Sequence, residues 1–332
     1  MITTTPRSDR FCSTFGIELP IVQAGMAFAS DAPLTIAVTN AGGLGAIGTG
    51  GIMGTRELRR NIQDVKAAVG DKPFAVNIVI PTGGTDDAAF GQINLARKHL
   101  DICIEEGVQV ITTALGDPRP FIPELNGHGI KVIPTVGRLK QAINCARAGA
   151  AAVAVQGSES GGHVGPSSLL YIGPAAAQAV DVPVLFAGCM TTSAHVQAAL
   201  DLGASGAWVG TRFAASDESC AHENYKRRLV EAGEVSTTLT RAMTGKTNRG
   251  LRNAFTESWV GRENEILPYP QQAAEEYWRS RAGVYEGDVE QGFLSASESV
   301  ALIDSVLPAA EIVAQLSGQT TAVASGAGTS TP

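Results

Sequence analysis

The sequence has no basic run, no cysteine pair and no long apolar stretch, and each absence removes a class of function. Across 332 residues, 25 Lys plus Arg stand against 32 Asp plus Glu, a formal net charge of −7. An acidic chain without a basic patch argues against nucleic-acid binding, which rests on neutralising phosphates. No run of about 18 or more apolar residues is present, so no membrane span is expected. The opening MITTTPRSDR lacks the apolar core of a secretory signal. Cysteines 12, 103, 145, 189 and 220 are odd in number and contain no Cys-x-x-Cys. They read as free thiols of a cytoplasmic protein, not as a disulfide frame or a metal site. Aromatic residues make up only 5%, whereas glycine reaches 38 residues, a load that serves tight turns and close backbone approach.

What is present is an alternation of short apolar runs with helical spacing. Strands are expected at Pro20–Met26, Leu44–Gly50, Phe74–Ile80, Val108–Leu115, Lys131–Val136, Ala151–Gly157, Pro183–Cys189 and Gly206–Phe213. Several are apolar almost throughout, as befits parallel strands buried on both faces. Helical periodicity marks Thr55–Val69, Leu139–Ala148 and Ser193–Leu202, and glycines close several such segments. Eight strands alternating with helices predict an α/β fold, a (β/α)8 TIM barrel. A doubly wound open sheet is the runner-up, weakened because no Gly-x-Gly-x-x-Gly follows the first strand. Residues 217–291 turn charged, with helical stretches at Ala221–Ala232 and Gln271–Ala282, and are expected to form a helical cap inserted after strand eight. The barrel domain is then 1–216 with 292–316, closed by a helix at Ser299–Leu316, and 317–332 is a flexible tail.

In such a barrel the working residues sit at the strand C-terminal ends. Here those ends hold glycines, amides and hydroxyls with little charge, which suits a flat cofactor held by backbone groups. The densest segment is Gln156-Gly-Ser-Glu159-Ser-Gly161-Gly162-His163-Val-Gly165. Its imidazole is the candidate catalytic group, able to move a proton near neutral pH. Gly188-Cys189 and Gly210-Thr211 end strands seven and eight, where barrels often bind phosphate, and Thr191 or Thr192 would cap the following helix. His99, His128, His195 and His222 read as structural or solvated, without metal-ligand spacing. Cys189 reads as a small packing residue, and Asp86-Asp87 and Glu275-Glu276 as solvated carboxylates.

Together these segments resemble the nitronate monooxygenase family and its relatives the flavin-dependent enoyl-thioester reductases, in order from about Pro20 to Leu316. The resemblance rests on Pro20-Ile-x-Gln23-x-Gly25-Met26, Ala41-Gly-Gly-Leu-Gly45, Lys72-Pro-Phe-x-Val-Asn77, the Gln156 to Gly165 signature, Gly210-Thr-Arg-Phe213 with its extension through Glu218 to Lys226, and Gly245-Lys-Thr-Asn-Arg-Gly-Leu-Arg-Asn253. It implies non-covalent FMN, contacted by Met26, Asn77, Gln156, Gly161 and Gly188, with Trp208, Val209, Gly210 and Thr211 near its phosphate. Neighbouring Gln23, Gly25, Gly162 and Cys189 complete the expected cofactor set, and His163 takes the catalytic position. The implied reaction is oxidation of an alkyl nitronate by O2 to a carbonyl compound and nitrite, with His163 as base or hydrogen-bond partner. The alternative is an NAD(P)H-dependent enoyl-thioester reductase, for which Lys226, Arg227 and Arg228 would be a carrier landing site, or a pathway-specific flavoenzyme on the same scaffold. The partners are a small molecule and O2, with no nucleic acid and no membrane, and a homodimer is compatible with the sequence. Three departures from the family pattern stand out: Cys189 in place of a second glycine, Ser160 in place of alanine, and Ser295-Ala296-Ser297 near the C-terminus.

Overall fold

The computed structural model describes residues 1–80 and 87–319. Its strands are Ile21–Gln23 (β1), Ala46–Gly48 (β2), Ala75–Ile80 (β3), Val110–Leu115 (β4), Lys131–Val136 (β5), Val153–Gln156 (β6), Gly162–His163 (β7), Val184–Ala187 (β8), Gly206–Val209 (β9), Thr237–Thr240 (β10) and Asn248–Leu251 (β11). Eight of them are parallel neighbours in the order β1-β9-β8-β6-β5-β4-β3-β2. The two ends of that order meet, where Val22 bridges Leu44 in parallel. There the Gln23 N–H donates to the Leu44 carbonyl, and the Leu44 N–H to the Ile21 carbonyl, each at 2.9 Å. The sheet is therefore the expected (β/α)8 barrel, and the open-sheet alternative falls.

Alternation along each strand divides two cores. Val22, Leu44, Ala46, Ala75, Val110, Ile133, Leu185 and Trp208 fill the interior, and Ile47, Val76, Ile78, Ile111, Val132 and Val184 face the helices. Helix Pro6–Phe15 starts at a Thr5 capping box with Pro at its first turn and stops at Gly16 in a left-handed conformation. It sends Phe11 and Phe15 into the interior cluster. Burying each ring is worth about 1.5–3 kcal/mol and plugs that end of the barrel. The strand C-terminal ends are left as the open mouth. Helix Thr55–Val69 has the bounds its spacing predicts, with Leu58, Ile62, Val65 and Val69 buried on one face.

The insertion holds helices at Glu223–Val230, Ala254–Glu257, Gln271–Glu276 and Trp278–Val284. It also holds a hairpin that the sequence reading did not anticipate. Strands β10 and β11 pair antiparallel, and β11 pairs in turn with β7, setting Asn248 opposite His163 and Arg249 opposite Gly162. The Tyr277 hydroxyl fastens the insertion to the barrel rim by donating to the Gly50 carbonyl at 2.9 Å. The expected closing helix Ser299–Leu316 is a 3-10 turn at Glu298–Leu302, an extended stretch, and a helix at Ala309–Leu316. Pro308 is the reason, since it disfavours helical backbone at the residue before it and supplies no N–H. Residues 317–319 of the expected tail are tied down, with the Ile2 N–H donating to the Ser317 carbonyl at 2.8 Å. Asp86 and residues 320–332 lie outside the described residues. Among the described residues no helix is long and apolar enough to cross a membrane, and no cluster could hold a metal.

Candidate active site

A cavity of about 950 Å³ opens at the strand C-terminal ends, beneath the insertion. Gly25, Met26, Asn77, Gln156, Gly161, Gly162, His163, Gly188, Cys189, Trp208, Gly210 and Thr211 all line it. Two expected residues do not. Gln23 is fully buried in the strand layer, its Oε1 accepting from the Ala46 N–H at 2.8 Å and its Nε2 donating to the Ala24 carbonyl. The amide oxygen thus ties β1 to β2, and the nitrogen bonds the backbone next to it in the chain. Val209 follows Trp208 by one residue, so alternation turns its side chain outward to pack with Ile21 and Phe213 under the helices.

The glycines of the wall serve close approach. A Cβ on Gly25 would stand 2.2 Å from the Asn77 Cβ, and one on Gly161 would stand 2.8 Å from the Ala296 carbonyl carbon. Asn77 reaches the cavity beside Thr112, to whose hydroxyl it donates at 2.9 Å. Glu159 does not face the reacting region. Its Oε1 accepts from the Leu169 N–H at 2.9 Å and so pins the loop. Ser295 and Ser297 of the altered C-terminal segment line the cavity, and the Ser297 N–H donates to Thr211 Oγ1 at 2.9 Å.

At the ends of β8 and β9 the backbone is open to a ligand. Among the described residues the N–H groups of Cys189, Gly210 and Thr211 reach no acceptor in the protein, and all three residues line the cavity. Unpaired donors converging on a polar wall fit a phosphate. Cys189 sits at φ 53, in the left-handed region that favours glycine. Burial pushes its thiol pKa up, and its Sγ lies 3.7 Å from the Glu159 carbonyl, so it is the packing residue expected rather than a nucleophile.

His163 is held by the β7–β11 pairing, with its Nε2 2.9 Å from Thr244 Oγ1. Burial, and secondarily the Lys246 ammonium, push its pKa down to about 3, so the ring is neutral at physiological pH. Three other histidines make structural contacts, and His128 is exposed. His99 Nε2 lies 2.8 Å from the Met53 carbonyl, His195 completes the Thr192 capping box, and His222 caps Glu223–Val230.

The mouth carries charge that the strand-end reading missed. Arg119 and Arg138 follow β4 and β5, while Arg241 and Lys246 come from the turn between β10 and β11. Among the described lining residues Asp117 is the one carboxylate, and it already pairs with Arg119 at 2.6 Å. The Gly245 to Asn253 motif is legible in sequence, but its contact with His163, 81 residues away, is not.

Residues 8–319 match the family model for nitronate monooxygenase. The chain belongs to the nitronate monooxygenase family. It is 39% identical over 245 residues to a (3aS,4S,5R,7aS)-5-hydroxy-7a-methyl-1-oxo-octahydro-1H-indene-4-carboxyl-CoA dehydrogenase of Mycobacterium tuberculosis, covering 73% of this chain and 65% of that protein. The chain thus spans about 65% of the length of the curated dehydrogenases it matches. FabK from Thermotoga maritima superposes with a TM-score of 0.84 at 36% identity, covering 95% of each chain. A nitroalkane oxidase from Streptomyces ansochromogenes superposes with a TM-score of 0.82 at 29% identity, covering 93% of this chain and 96% of the other.

Proposed function

We propose that the protein binds FMN and performs two-electron redox chemistry on the acyl chain of a CoA-type thioester. The observation that carries this reading is the cavity of about 950 Å³ with its cationic mouth. The open backbone donors at β8 and β9 suit the FMN phosphate. Arg119 and Arg138 follow β4 and β5, on the other side of the strand ring, and suit a second, remote anion such as the phosphates of CoA. A nitronate has one small anionic head and does not require that second site. The carboxyl-CoA compound in the name of the M. tuberculosis relative supports the same substrate class.

On this reading Cys189, Gly210 and Thr211 donate backbone N–H groups to the phosphate. Met26, Asn77, Gln156, Gly161 and Gly188 hold the ring system, with Gly25 and Gly162 giving it room. Bound FMN supplies the redox step. His163, neutral and facing the cavity, hydrogen-bonds the thioester carbonyl and stabilises charge developing on its oxygen. The barrel, 1–216 and 292–316, carries Arg119 and Arg138, the insertion, residues 217–291, supplies Arg241 and Lys246, and the protein is cytoplasmic. Nitronate oxidation is the second reading, favoured by the Lys246 ammonium beside His163, which suits an anionic nitronate.

The test is anaerobic mixing of FMN-loaded protein with a panel of straight-chain and cyclic acyl-CoA thioesters, with enoyl-CoA plus NADPH, and with propionate 3-nitronate. Bleaching of the flavin by an acyl-CoA, or product from enoyl-CoA with NADPH, is expected. A flavin response confined to the nitronate would overturn the thioester reading.

A further inference from the structure

The turn between β10 and β11 carries an ordered chain of hydrogen bonds that ends on His163. It begins at Asn248, which is fully buried. The Asn248 Nδ2 donates to the Lys246 carbonyl at 2.7 Å. A carbonyl only accepts, so this contact fixes which end of the amide is nitrogen. The same Nδ2 donates to Thr244 Oγ1 at 3.0 Å, and the Lys246 backbone N–H points at that oxygen from 3.4 Å. A hydroxyl oxygen has two lone pairs and one proton. With both lone pairs engaged, the Thr244 proton is left for its remaining neighbour, His163 Nε2, at 2.9 Å. Asn248 Oδ1 is buried without a partner, so the amide keeps this orientation although one of its polar atoms goes unsatisfied.

We infer that Thr244 donates its hydroxyl proton to His163 Nε2 and so holds the imidazole in its Nδ1–H tautomer, with Asn248 as the residue that aims Thr244. Both act through the histidine and are positioning residues. Thr244 is itself almost fully buried. Because the ring stays neutral, the tautomer is what decides its chemistry.

Among the described residues Nδ1 has no protein partner, and His163 lines the cavity. With its proton on Nδ1, the ring offers the cavity a donor. The opposite tautomer would offer a bare lone pair, the form needed to pull a proton from carbon. Thr244 therefore selects between polarising a substrate oxygen and acting as a base. The pairing of Asn248 with His163 across β11 and β7 fixes the backbone on both sides of this contact. The bearing on thioester chemistry rests on the function proposed above, whereas the tautomer assignment does not.

The test is a long-range 1H–15N correlation spectrum of FMN-loaded protein labelled at histidine nitrogen, with the His163 ring assigned from its loss in His163→Gln. The wild type is expected to show a protonated Nδ1 and a bare Nε2. Thr244→Ser, which keeps the donor, should retain that pattern, and Thr244→Val should lose it to a mixture or to Nε2–H. A protonated Nε2 in the wild type overturns the inference, as does an unchanged Nδ1–H pattern in Thr244→Val. If Thr244→Val does not fold, the wild-type and Thr244→Ser spectra decide. An Nδ1–H ring in a protein inert to every thioester leaves the inference standing and removes the proposed function.

Discussion

Lowering the pH from 7 to 5 should destabilise the protein through His163, and replacing that imidazole should remove the effect. Burial first and Lys246 second carry the ring from its ordinary 6.5 down to about 3. Between those values the unfolded chain binds a proton that the folded protein refuses. The stability tied to the neutral ring is complete above pH 6.5 and is lost progressively as the pH falls toward 3. One pH unit inside that window is worth about 1.4 kcal/mol, so the fall to pH 5 costs about 2 kcal/mol. For a chain of 332 residues that is a drop in Tm of about 3 °C. His163→Gln keeps a polar partner for Thr244 but has no proton to gain. His99 and His195, whose pKa values burial also lowers, titrate in both proteins and cancel in the comparison. Thermal scans should use FMN-loaded protein, because the ring is partly open to the cavity and the cofactor excludes water from it. Equal pH slopes for wild type and His163→Gln would refute the reasoning.

Other perturbations have equally definite outcomes. Gly161→Ala would drive a Cβ to 2.8 Å from the Ala296 carbonyl carbon and 2.9 Å from the Ser297 nitrogen. Both are backbone atoms, so overpacking of about 1–3 kcal/mol is expected, seen as at least tenfold weaker FMN binding in a fluorescence titration. Arg138→Ala should raise KM several-fold for a CoA thioester, at about 1 kcal/mol for an exposed charge contact. The corresponding pantetheine thioester should be unaffected, and equal effects on both would count against a phosphate role. Arg249 donates through Nε to the Ser158 carbonyl at 3.1 Å and through Nη1 to Thr237 Oγ1 at 2.9 Å. Lysine cannot reproduce that fork, so Arg249→Lys should lose about 1–3 kcal/mol in urea unfolding.

The barrel was legible because its strands are buried on both faces and its helices carry one apolar stripe. Both patterns survive in any single window of sequence. Thr55–Val69 shows this best, and the glycines at the ends of β8 and β9 marked two segments that line the cavity. Gln23 and Val209 were misread for a common reason. A strand end was taken whole, although neighbouring side chains point to opposite faces. Ser299–Leu316 read as one helix because its apolar spacing outweighed Pro308 in the pattern but not in the backbone. The hairpin of the insertion was hidden because TTLT and NRGL have little apolar alternation. Those strands are held by pairing with β7 and with Ser295, and by the bond from Arg249 to the Ser158 carbonyl, all of them partners distant in sequence. Arg119 and Arg138 are single charges in separate loops, brought near each other by the β4–β5 pairing.

The β7–β11 pairing also imposes an order on biosynthesis. All eight barrel strands precede the hairpin in the chain, so a nascent polypeptide possesses every strand of the barrel before Asn248 has been made. Until that residue emerges, the loop carrying His163 has no partner strand to set its direction. The strand that directs His163 is thus made only after every strand of the barrel. The same separation lets the turn at 244–248 be exchanged in evolution, retuning one imidazole while leaving the barrel untouched.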